Sequence, residues 1–194
     1  MYRFLAPALA AFVLFAPSSC ASLTPAAALR LAGFDPLEAD PAAIAVAVRT
    51  SDRLRLRNGD VTMRVGFESK DKSLEFDEHF ELQIVGGDVG TPPGGALSSG
   101  EHVQIAQVAV ADRARFAATQ AKARAARGKG NGSLEVAVNG GCRTGEIDPA
   151  SLSFSTYMRT AVEGEFFQLT RDMSLARAFG SNRLSEIPRC EGAS

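Results

Sequence analysis

His79 and His102 are the only histidines in the chain, so general acid or base chemistry near neutral pH would start with them. They fall in separate strand-like segments. No further ligand at metal-binding spacing accompanies either, so no metal is expected. Triads are assembled in space, so spacing alone does not decide against a Ser-His-acid set; no residue pattern points to one. Ser69-Lys70-Asp71-Lys72 has the S-x-x-K spacing of serine acyl enzymes. Those enzymes place the serine at the start of a helix, whereas this run lies in a turn between two alternating segments. A G-x-S-x-G elbow is absent. Gly128-Lys129-Gly130-Asn131-Gly132 has the glycine density of a phosphate cradle. It follows a helix and precedes a strand, so it would present carbonyls rather than amides to an anion. It reads as a helix stop.

Three polar sets remain. Ser153, Ser155, Tyr157 and Arg159 recur at every second position and form the polar face of an otherwise apolar strand. Their phenol and guanidinium either line a small polar cleft or are ordinary surface groups. Arg53, Arg55 and Arg57 share a face, as do Glu75, Asp77 and Glu81. Such rows read first as cross-strand charge pairs on a solvated face, and second as a docking surface. Arg113, Arg115, Lys122, Arg124 and Arg127 lie on one helix rich in alanine, with Phe116 its one large apolar residue. That helix either rests on anionic headgroups or packs its alanines on a sheet and leaves the arginines in water.

The elements that must carry these residues are mostly strands. Ile44, Val46 and Val48 alternate with alanines, and Leu54 and Leu56 alternate with arginines. Asn58-Gly59 reads as a two-residue hairpin turn. Val61, Met63, Val65 and Phe67 follow, then Leu74, Phe76, Phe80, Leu82 and Ile84. Period-two alternation of this kind predicts half-buried antiparallel strands, here a meander over about 43–85. Residues 86–101 are too rich in Gly, Pro and Ser for regular structure and read as a flexible loop. Further strands are expected at 103–110, 134–138, 152–159 and 166–170, a helix from Asp112 to about Arg127, and a short helix over 172–179. The fold class is α+β: a mostly antiparallel sheet of six to eight strands with one main helix packed on it.

With 194 residues, 45% of them apolar and 22% charged, the chain is long enough for one globular domain with its own core. The net charge of −1 gives no global field to draw in nucleic acid, and no nucleic-acid partner is expected. Trp is absent and Tyr occurs twice, so no aromatic platform for bases or sugars stands out. No cofactor is expected. The first residues carry the strongest signal. Arg3 is followed by an uncharged apolar run over Phe4–Ala16, too short for a bilayer-spanning helix of roughly 20 residues, and then by Pro17, Ser18, Ser19 and Cys20.

This segment resembles the precursor of a bacterial lipoprotein. In that family small residues precede a cysteine that is acylated and becomes the first residue of the mature chain. Ser18 and Ser19 fill the small positions and Cys20 matches the modified cysteine; Pro17 departs from the aliphatic residue the family prefers. The resemblance covers the first twenty residues and implies a lipid anchor on the membrane, with Ala21 implying the outer membrane. Cleavage after Ala21, giving a soluble periplasmic or secreted protein, also fits the small-x-small rule. Removing Cys20 from the three cysteines leaves Cys142 and Cys190 to pair in an oxidising compartment. Closing that loop would restrict the unfolded chain by roughly 4 kcal/mol.

The expected organisation is therefore a signal peptide over 1–19, an anchor and tether with a short helix over 20–41, and one domain over 42–194. Two function classes stay open: a non-enzymatic binding or assembly module with a protein partner in the envelope, and an anchored or periplasmic hydrolase. The oligomeric state is not legible.

Overall fold

The computed structural model describes residues 38–86, 91–126, 128–148, 152–179 and 187–191. The expected signal peptide, Cys20 and the helix expected just before Gly33 lie outside the described residues.

Alternation becomes a seven-stranded, wholly antiparallel sheet that curls as a half-barrel in the order β6-β3-β4-β5-β1-β8-β9. The strands are β1 (Ala45–Ser51), β3 (Val61–Ser69), β4 (Glu75–Val85), β5 (Glu101–Val108), β6 (Gly130–Val138), β8 (Ser153–Arg159) and β9 (Phe167–Ser174). Two short strands, β2 (Leu54–Arg55) and β7 (Cys142–Arg143), form a separate antiparallel ladder. Helix α1 spans Arg113–Ala125 and a short helix α2 spans Leu175–Phe179. The expected architecture, a mostly antiparallel sheet with one main helix, describes the molecule.

The inner face of the sheet holds the core. Val61, Met63, Val65 and Phe67 of β3 are buried in alternation with exposed Arg64 and Glu68, as the period-two pattern requires. Phe80, Leu82, Val46, Val48, Ala106, Val108 and Met158 join Val61, Met63 and Val65 in one cluster across β4, β1, β5 and β8, while Phe67 packs with Ala123 and Ala126 in a second. Helix α1 packs on that face through Phe116, Thr119, Gln120 and Ala123. The Phe116 ring meets Phe80 at 4.8 Å between centroids, and the Arg115 guanidinium lies over the Phe80 ring, 4.0 Å from its centroid. Arg115 also donates to the Glu78 carboxylate and the His79 carbonyl, both at 2.8 Å. The helix thus docks by Phe116 and Ala123 plus one arginine that returns to the sheet.

Two expectations change. The Asn58-Gly59 turn does not join a hairpin: β2 pairs with β7, and β3 pairs with β4 and β6. A type I′ hairpin turn needs positive φ at both central residues, but only Gly59 has one, at +85°. The strands therefore splay, and the meander begins at β3, not β1. The short helix expected over 172–179 begins only at Leu175, because β9 runs on to Ser174.

Besides its ladder with β7, the β2 segment is fastened by one side chain of β5. Gln104 of β5 accepts from the Leu56 amide at 2.8 Å and donates to the Leu56 carbonyl at 3.1 Å, imitating a strand partner. That orientation leaves its carbonyl oxygen facing His102 Nε2 at 3.0 Å. A carbonyl only accepts, so Nε2 carries the proton and the buried Nδ1, which has no hydrogen-bond partner, does not. Burial pushes the imidazole pKa below its ordinary 6.5 more than the Gln104 bond raises it.

A disulfide joins Cys142 to Cys190 across 48 residues of sequence. It holds the end of the chain beside β7, where Arg143 N donates to Pro188 O and Cys190 N donates to Arg143 O. Ile187 is thereby seated in the core at 8% exposure.

Two outcomes follow from this packing. Replacing both cysteines, Cys142→Ser with Cys190→Ser, lowers the unfolding free energy by about 2–4 kcal/mol in urea titrations; an unchanged midpoint would mean that packing of Ile187 alone holds the tail. The unfolded chain binds a proton at His102 more readily than the folded one. Stability contributed by neutral His102 is therefore complete above pH 6.5 and declines as the pH falls below it. His102→Gln should flatten that decline.

Candidate ligand-binding cleft

Strand β1 is buried on both sides. Val46 and Val48 face the core, while Ala45 and Ala47 at 0% exposure line the outer face. The one charged residue in the strand, Arg49, also projects outward, with a side chain only 13% exposed. A buried guanidinium requires acceptors. Arg49 finds two in the segment that connects β4 to β5 and a third at the first residue of β5: it donates to Gly95 O at 3.2 Å, Ala96 O at 2.8 Å and the Glu101 carboxylate at 2.6 Å. Glu101 accepts the Ser98 amide as well, at 2.8 Å. The Arg49 bond first, and the Ser98 amide second, hold the Glu101 carboxyl at about 2.

This tie bends residues 91–100 over the outer face of β1, β8 and β9 and leaves a cleft of about 440 Å³ beneath. That volume lies within the range of small-molecule sites. The floor follows the strand register. Arg49 of β1 stands opposite Ser155 of β8, and Ala47 opposite Tyr157. Tyr157 in turn stands opposite Gln168 of β9, whose amide nitrogen reaches its hydroxyl at 3.4 Å. Over the cleft, Gly94 has φ +84°, and a methyl group there would collide with the Tyr157 hydroxyl. Glycine is required at that position on both counts.

A β-bulge supplies the charges. Phe154 and Thr156 are two residues apart, but their partners Met173 and Thr170 are three apart. Ser155 is thus opposed by both Arg171 and Asp172, and both line the cleft. In a regular strand two consecutive side chains point to opposite faces. Asp172 avoids this by adopting φ +45°, a conformation that costs a non-glycine residue on the order of 1 kcal/mol. Ser155 compensates: its hydroxyl accepts the Asp172 amide at 3.0 Å and donates to the Asp172 carboxylate at 3.4 Å. Arg171 is oriented by Gln168 Oε1, at 3.0 and 3.2 Å.

Of the four residues singled out from the strand pattern, Ser153, Ser155 and Tyr157 line this cleft. Arg159 does not: it lies opposite Ala45, over the Phe166 ring at 5.1 Å, with a buried Nε that has no hydrogen-bond partner. Arg49, Gln168, Arg171 and Asp172 escaped sequence reading. A lone arginine in an Ala/Val strand was a signal for the first; the bulge left none for the last two. The histidines are elsewhere. The β4–β5 ladder runs from Leu82 opposite Val108 to Val85 opposite Ile105. His79 precedes Leu82 and His102 precedes Ile105, so antiparallel pairing leaves them at opposite ends. Ser69 is a turn-maker: its hydroxyl donates to Asp71 at 2.7 Å and accepts the Leu74 amide at 2.9 Å. The arginine row of β2 does not meet the acidic row of β4; Asp77 is taken by Arg64 in two bonds of 2.6 and 2.7 Å. Among the described residues no three of His, Cys, Asp and Glu gather as metal ligands.

No protein family, curated protein or solved structure matches this chain. The cleft is therefore read from its own chemistry. It combines charges and hydroxyls carried on strands, and neither histidine is among its lining residues.

Two tests address the tie across the cleft. In an NMR titration the Ser98 amide shift should follow Glu101 with a midpoint of about 2, not the ordinary 4.5. Because the folded pKa is depressed, the stabilisation is complete above about 4.5 and lost as the pH falls toward 2. Gly94→Ala should lower stability by about 1–2 kcal/mol and increase proteolysis within residues 91–100. Unchanged cleavage would show that Gly94 does not rest on Tyr157.

Proposed function

We propose that this chain is an exported bacterial envelope lipoprotein, anchored by acylation of Cys20, whose domain is a binding module and not an enzyme. The observation that carries the binding role is the polar cleft over β1, β8 and β9, with Arg171 and Asp172 brought to one face by a bulge. The export reading is supported by the apolar run at Phe4–Ala16, the small residues before Cys20, and the Cys142–Cys190 disulfide, which suits an oxidising compartment. Ala21 after the anchor favours the outer membrane by resemblance. The partners are then the membrane, through the lipid, and a ligand or envelope protein reached from the periplasmic side. The hydrolase reading needs an imidazole near a serine hydroxyl, and neither histidine is among the residues that line the cleft.

The intact mass of the mature protein from the membrane fraction tests the anchor. Wild type should begin at Cys20 with added acyl mass, and Cys20→Ser should lose it. A soluble protein beginning near Ser22 in both cases would refute the anchor and leave a free periplasmic or secreted domain.

A further inference from the structure

The cleft presents one charge of each sign that the protein leaves available. Arg49 and Glu101 are consumed by each other and by the 91–100 segment. Arg171 and Asp172 are different. They are adjacent in sequence and line one cleft, yet among the described residues neither has an ion-pair partner. Among the described residues the Asp172 carboxylate accepts only from Ser155, through one oxygen, and Arg49, which acts on it at longer range, is already engaged by Glu101. Arg171 spends Nε and Nη2 on a neutral amide oxygen, which fixes the direction of the guanidinium without neutralising it. A surface pair of opposite charge usually collapses together; the bulge and the positive φ of Asp172 hold this one apart.

Resting on the binding role proposed above, we infer that the cleft takes a small zwitterion: a free amino acid or short peptide whose carboxylate meets Arg171 and whose ammonium meets Asp172. A guanidinium matches a carboxylate by forked hydrogen bonds, and a carboxylate with an open oxygen matches an ammonium. The hydroxyls of Ser153 and Tyr157 also line the cleft and offer further hydrogen-bonding groups to such a ligand. The volume of about 440 Å³ admits a ligand of amino-acid to dipeptide size.

The test uses the full anchored chain in detergent, isotope-labelled, titrated by NMR with four probes of known chemistry. These are glycyl-alanine, its N-acetyl form, its C-terminal amide, and neutral N-acetylglucosamine. Glycyl-alanine should shift the amides of Ser155, Gln168, Arg171 and Asp172, and each blocked form should bind at least about tenfold more weakly, the loss expected for one charge-assisted bond. Asp172→Asn should erase the preference over the N-acetyl form, and Arg171→Gln the preference over the amide. Chemical-shift dispersion verifies that both variants fold. Equal binding of glycyl-alanine and its blocked forms, or tighter binding of the saccharide, overturns the zwitterion while leaving a binding cleft. No shift in the cleft with any probe overturns both.

Discussion

A guanidinium placed on the outer face of a doubly buried strand must be given acceptors, and much of the outer half of this molecule is organised by how Arg49 obtains them. Strand β1 leaves no room for bulk on that face, which is why alanines precede the arginine. The long arginine side chain reaches past them to two backbone carbonyls of the segment between β4 and β5 and to the carboxylate of Glu101 at the start of β5. A glycine- and proline-rich connection that has no ladder of its own is thereby fixed as a cover. Removing the charge would leave Glu101 and the two carbonyls short of donors, a cost that falls on the cover and not on the core.

Beneath the cover, the site is carried by strands, not loops. Arg49, Ser155 and the Arg171–Asp172 pair form one row across three hydrogen-bonded neighbours. Positions on a sheet move little, so the separation of the two open charges is set by the register and the bulge. The strain at Asp172 is retained because Ser155 holds both its amide and its carboxylate. The same residue pattern in an unbulged strand would send one of the two charges to the core, where it would be expelled or paired.

The sheet was legible because its information is local: apolar side chains at every second position, with one face buried and one solvated, as in Val61, Met63, Val65 and Phe67. The disulfide followed from cysteine number once Cys20 is assigned to the lipid. Strand partners were less legible. Asn58-Gly59 has hairpin composition, yet the signs of φ, set by where β2 is held by Gln104 and β7, decide against a hairpin. Half of the cleft shared this fate. Ser153, Ser155 and Tyr157 obey the period of two and were visible. Arg171 and Asp172 break it, and an aspartate before an apolar run looks like a helix cap from sequence alone. The segment across the cleft was read as flexible by composition; its attachment depends on an arginine more than forty residues away in sequence.

The claim on which the account rests is that Arg49 and Glu101 act as one unit. A double-mutant cycle of Arg49→Met and Glu101→Gln, read by urea unfolding at pH 7, measures this directly. The account predicts a coupling of about 1 kcal/mol, with the double variant little less stable than either single one. Single-variant losses that simply add would contradict it, and the cover over the cleft would then need another cause.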